Sequence, residues 1–119
     1  MAQQPNVAGP AFDATTLTYV GEKHLVNVRQ LTFGGDNAEA YWSFDGQSLV
    51  FQANYAEWGT ACDQIFLYRD VNEVDRSPKM LSTGLGRTTC AYFMPGDQHV
   101  LYASTHQGGH SCPPEPPRE

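Results

Sequence analysis

Basic residues are scarce in this chain. Seven Lys and Arg stand against 13 Asp and Glu, for a formal net charge of −6. Nucleic acids and anionic membranes are held by clustered Lys and Arg. The seven here are scattered, which argues against either as a partner. Long apolar runs are also missing. None approaches the roughly 20 residues of a membrane span, so a spanning segment is not expected. The common catalytic signatures are absent: no G-x-S-x-G elbow, no HExxH, no Walker loop and no G-x-G-x-x-G. No motif calls for a cofactor. The opening "MAQQPNVAG" has neither a basic start nor an apolar h-region, so no signal peptide is read there. The same residues after the Met would also suit a mature N-terminus left by cleavage. Cysteine is sparse, with three residues at 62, 90 and 112 and no CxxC pair. That is too few for a disulfide-scaffold miniprotein. Either all three are inert thiols, or one bridge and one free thiol stand in an oxidising compartment.

What the chain does contain is aromatic and turn-forming residues. Aromatics reach 12% in a chain of 13.1 kDa, which is one domain at most and too aromatic for a disordered one. Gly and Pro punctuate short apolar runs at 17–20, 25–31, 49–51, 65–68 and 100–103. Their length and their Val, Tyr, Phe and Leu content are those of strands. We expect strands near 25–31, 38–43, 48–54, 64–69, 78–82, 89–94 and 99–104, in an all-β fold. Residues 61–76 also admit a helix, with Leu67, Val71 and Val74 on one face. Their middle, "YRDVNEVDR", reads better as a polar turn. In "SLVFQA" and "QIFLY" both faces are apolar, whereas a half-exposed antiparallel strand alternates. Such strands need cover on two sides, as a propeller blade has between its neighbours.

The chain also repeats itself. "AYWSFDGQSLVFQA" at 40–53 returns 51 residues later as "AYFMPGDQHVLYAS". Tyr41 aligns with Tyr92, Trp42 with Phe93, Gln47 with Gln98 and Phe51 with Tyr102. "RQLTFGG" matches "KMLSTGLG" with a one-residue slip. A period of about 50 lies in the range of propeller blades, and one unit reads as four strands.

The string "RQLTFGGDNAEAYWSFDGQSLVFQA", followed by "CDQIFLYR", resembles the WD40-like repeat of periplasmic TolB-type β-propellers. The resemblance runs over residues 25–104. The second copy departs from it, with "MPGDQ" where the first has "SFDGQ", so the Asp-Gly turn signal is weaker there. The resemblance implies a β-propeller fragment of about one and a half four-stranded antiparallel blades. Residues 1–30 would hold an N-terminal segment with the outer strand of a neighbouring blade. A complete blade would span 31–82, half a blade 83–106, and a Pro-rich tail 107–119. It further implies a non-catalytic binding or scaffold module of the periplasm or cell envelope. Its partners would be proteins or the remainder of the propeller, with possible association with a membrane-bound complex. The alternative is the propeller portion of a prolyl-oligopeptidase-like peptidase, whose catalytic domain lies outside this chain.

Candidate sites are few, and each has a bland counterpart. "HQGGHSC" offers His106, His110 and Cys112, residue types that zinc accepts. A fourth ligand is not evident, no helix aligns the two His, and a flexible Gly-Gly loop is the favoured reading of the stretch. Asp36 and Glu39 could bind a cation or act as acid and base, but they also suit a solvated turn. "TGLGR" at 83–87 lacks the Lys of a phosphate loop and reads as a link between blades. Tyr41, Trp42, Tyr92 and Phe93 on the innermost strands either line a channel or pack blade on blade, and packing is favoured. Blade geometry would gather all three cysteines on one face. Three single bridges are possible, and Cys62–Cys90 joins neighbouring blades with the least slack.

Overall fold

The computed structural model describes residues 20–71, 77–115 and 117. The chain divides into two compact units, Met1–Phe33 and Gly34–Glu119. In the first unit, the described residues 20–33 carry no strand. The strand expected at 25–31 is therefore absent. Asn27 adopts a left-handed φ of 56°, which interrupts an extended run. Leu25 and Val26 stay 62% and 77% exposed instead of packing. Local polar bonds hold this stretch: Glu22 Oε1 accepts the His24 and Leu25 N–H groups at 2.6 and 3.0 Å. The apolar run at 17–20 lies outside the described residues except for Val20, and the tail expected at 107–119 is described only to residue 115 and at 117.

The second unit is all-β. Four strands, β1 (Asp36–Trp42), β2 (Leu49–Asn54), β3 (Gln64–Tyr68) and β4 (Lys79–Met80), form one antiparallel sheet in chain order. A second, two-stranded antiparallel sheet holds β5 (Thr88–Phe93) and β6 (Val100–Ser104). A four-strand meander followed by a hairpin is the arrangement expected of a blade and part of another. The helix alternative at 61–76 is not taken: β3 occupies its start, and residues 72–76, with Val74, lie outside the described residues.

The sequence repeat is a backbone repeat. Tyr41 pairs with Val50 and Trp42 with Leu49; Tyr92 pairs with Leu101 and Phe93 with Val100. Both hairpins carry a β-bulge at the same place, between Ala38 and Tyr41 and between Thr89 and Tyr92. Two residues there oppose one on the partner strand, and one of them turns left-handed. These are Glu39 (φ 49°) and Cys90 (φ 55°). The turns agree as well. Gly46 N–H donates to Ser43 O and Asp97 N–H to Met94 O, both at 3.0 Å. Weakening the Asp-Gly signal therefore leaves the turn intact.

The core lies between the sheets. Val50 and Ile65 on one face of the large sheet meet Ala91 and Phe93 of the hairpin, with Leu67, Val100 and Tyr102 at the margin. Burying each large apolar side chain there contributes roughly 1.5–3 kcal/mol. The opposite face carries an aromatic group. Phe51 stacks on Tyr68 at 5.5 Å, and Trp58, from the 3-10 turn Ala56–Trp58, lies 5.0 Å from Phe66. Both faces of β2 and β3 are thus used, as their two-sided apolar pattern requires.

Polar bonds fix the link between the sheets. The Gln64 side chain is buried. It accepts the Ser82 hydroxyl at 2.7 Å and donates to Gly86 O at 2.8 Å, while Ser82 Oγ accepts the Ile65 N–H at 2.9 Å. Gly86 cannot be replaced cheaply, since its φ is +63° and a Cβ would lie 2.8 Å from the His106 backbone nitrogen.

The disulfide joins Cys62 to Cys112, with Cα atoms 5.9 Å apart, and Cys90 is free and exposed. The expected Cys62–Cys90 bridge is thereby corrected. Least slack along the chain was the wrong criterion, because direction decides. The bulge turns Cys90 outward, while the Gly86 N–H bonds His110 O at 2.8 Å and brings the segment before Cys112 back toward Cys62.

Candidate functional site

The predicted site residues do not converge on a metal or catalytic centre. Cys112 is spent in the bridge, and a disulfide sulfur is not the thiolate that zinc binds. His106 Nδ1 lies 2.7 Å from Ser104 Oγ, and His110 is exposed. Asp36 sits at the start of β1 and Glu39 in its bulge. Among the described residues no three His, Cys, Asp or Glu side chains gather in a way that could hold a metal ion. "TGLGR" forms the link from β4 to β5.

The four inner-strand aromatics part company. Phe93 is 4% exposed, inside the core between the sheets. Trp42, its counterpart one repeat earlier, is 53% exposed. Tyr41 and Tyr92 meet edge to face at 5.5 Å, and Phe44 meets Tyr92 at 6.3 Å. All three rings stay substantially exposed, and Met94 and Leu101 are exposed as well. The result is an apolar patch around the turn ends of β1 and β5. Exposed apolar clusters of this kind mark interaction surfaces.

Asp97 locks the base of this patch. Its two carboxylate oxygens accept the N–H groups of Phe44 and Asp45, at 2.8 and 3.0 Å, from the other hairpin's turn. In the first copy Gly46 occupies the matching place, so the interchange of Gly and Asp in "PGDQ" supplies a carboxylate to the neighbouring turn. The departure from the repeat was visible in the sequence; its purpose was not. Asp45 has its own role. The Ser43 hydroxyl, at 2.6 Å, and the Gln47 N–H, at 3.0 Å, hold its carboxyl below the ordinary range.

Between the sheets, away from the patch, lies a cleft of about 380 Å³ lined by Gln52, Asp63, Arg87, Thr88 and Ser104 among others. The Arg87 guanidinium lies 3.7 Å from Asp63 Oδ2 and also 3.7 Å from Glu115 Oε1. Gln52 Oε1 is buried there without a hydrogen bond. The lining offers hydroxyls, an amide and an ion pair.

No helix among the described residues is long and apolar enough to cross a membrane. The Cys62–Cys112 bridge suits an oxidising compartment. No protein-family model matches the chain, and neither a curated protein nor a solved structure matches it significantly.

Proposed function

We propose that this chain is a non-catalytic β-propeller module of the TolB type that docks proteins in the periplasm or cell envelope, as part of a larger propeller or complex. The observation that carries the reading is the exposed cluster of Tyr41, Phe44 and Tyr92. Aromatic anchors with exposed faces are the side chains that dominate protein interfaces. They stand on paired hairpins whose turns Asp97 locks together, so the patch is preformed and binding it orders little. The four-stranded sheet followed by a hairpin of the same backbone supports the propeller, and the disulfide supports the compartment. The test is photo-crosslinking in the native host, with benzoylphenylalanine at Tyr41 or Phe44. A discrete protein adduct at these positions, absent when the label replaces exposed Glu57 away from the patch, is expected. Equal labelling at all three positions, or none at any, overturns the reading.

A further inference from the structure

The two sulfurs of the bridge stand in unlike surroundings. Cys62 is 2% exposed, and its Sγ lies 3.2 Å from Gly86 O. The space around it is filled. Gln64 Nε2 donates to the same Gly86 O at 2.8 Å, and the Gln64 and Ser82 side chains are buried. Cys112 is half-buried, on the segment that follows β6. Its Sγ lies 3.8 Å from Arg87 Nη2. The same segment is held by the Gly86 N–H on His110 O, and by Glu115 Oε1 at 3.7 Å from Arg87 Nη2.

A disulfide is opened by a thiolate that attacks one of its sulfurs, and access decides which one is hit. The approach to Cys62 is closed by buried neighbours, while the approach to Cys112 starts from solvent. Charge acts at the same place. The Arg87 guanidinium faces the negative charge that spreads over the three sulfurs during attack. Asp63 and Glu115, each 3.7 Å from that guanidinium, oppose an anionic reagent.

We infer that Cys112 is a thiol-exchange site: it accepts an external thiolate as a mixed disulfide, and Cys62 is the buried resolving thiol. The attacking sulfur bonds to Cys112 Sγ as the Cys62–Cys112 bond breaks. The electron pair leaves on Cys62, which takes a proton from solvent. One disulfide replaces another, so no further oxidant or reductant is consumed. The released Cys62 thiol has an acceptor in Gly86 O, to which its S–H donates weakly. The reverse reaction installs the bridge: a mixed disulfide on Cys112 is resolved by Cys62. Exchange leaves the hairpin on the large sheet, because the Thr88 N–H still donates to Asp63 O at 2.9 Å and Val50, Ile65, Ala91 and Phe93 still pack together. The thiolate belongs either to a free low-molecular-mass thiol or to the reactive cysteine of a dithiol oxidoreductase, and the chemistry at Cys112 is the same.

The experiment uses the intact, oxidised chain carrying Cys90→Ser, so that the free thiol takes no part. One arm adds reduced glutathione. The other adds a dithiol oxidoreductase whose own resolving cysteine is replaced by Ser. Acid quenching and peptide mapping locate the first adduct. An adduct on Cys112 with Cys62 free is expected, at a rate that does not change in urea below the unfolding transition. Such an adduct in the glutathione arm assigns the thiolate to a small molecule; one in the oxidoreductase arm alone assigns it to an enzyme. Charge gives a second readout. The rate with anionic mercaptoethanesulfonate, divided by that with cationic cysteamine, should fall about fivefold or more in Arg87→Gln and rise by a similar factor in Glu115→Gln, the effect of one charge near contact in water. The ratio cancels any change in stability that the substitutions bring. First adducts on Cys62 or equally on both cysteines overturn the inference. So do a rate that climbs with urea, no adduct in either arm, and a ratio that neither substitution moves.

Discussion

Reducing the Cys62–Cys112 bridge should cost this protein a large part of its stability. The bridge closes a loop with a sequence separation of 50. In the chain-entropy description, a loop of that length restricts the unfolded chain by about 4 kcal/mol. Domains of this size are stable by only about 5–15 kcal/mol. The loop spans β3 to β6 and includes Gly86 and Arg87, so the bridge ties the hairpin to the large sheet as well as closing the chain. With a urea slope of about 2 kcal/mol/M, the unfolding midpoint should fall by about 2 M on reduction. Urea titration followed by near-UV circular dichroism, with and without a phosphine reductant, reads this directly. Cys62→Ser with Cys112→Ser should reproduce the reduced protein, and reductant should then have no further effect. Cys90→Ser should behave as the parent. Alkylation without reductant, followed by mass spectrometry, should label Cys90 alone. Three labelled cysteines, a label at Cys112, or a midpoint that ignores reductant would each refute the reasoning.

Other consequences follow from single side chains. Phe93→Ala empties the core between the sheets and should cost about 3–4 kcal/mol, whereas Trp42→Ala at the matching, exposed position should cost under about 1 kcal/mol in the same titration. Ser82→Ala strips a partner from both the Ile65 N–H and the buried Gln64 amide, and should cost about 2–4 kcal/mol. The Asp45 carboxyl is depressed below 3.8 in the folded state, so its contribution is present above that value and is lost as pH falls through the folded value. An NMR titration should place its midpoint below 3.8, and Ser43→Ala should move it upward. Burial raises the Tyr68 phenol, so the stability it lends through its neutral form is present below pH 10.0 and is lost as pH rises through its folded value. Alkaline unfolding should accordingly shift to higher pH in Tyr68→Phe.

The β-strands of the second unit were legible because their determinants are local. Alternation, β-branched and aromatic content, and Gly or Pro at turns fix a hairpin within about 15 residues. The sequence therefore located β1, β2, β3, β5 and β6 to within two residues and placed β4 within 78–82. The spacing of the repeat likewise predicted that the two hairpins would share one backbone. The two-sided apolar pattern of β2 and β3 foretold cover on both faces, which Ala91 and Phe93 supply on one side. The run at 25–31 shows where such reasoning stops. Apolar content permits a strand, but a ladder needs a partner edge, and among the described residues none pairs with this run. The cysteine pairing and the clasp by Asp97 were out of reach for the same kind of reason. Both depend on where side chains point after a bulge and a turn have reoriented the backbone, across separations of 50 residues and more. Local sequence determined that these hairpins form. Tertiary packing decided which of their faces are buried and which thiol is left free.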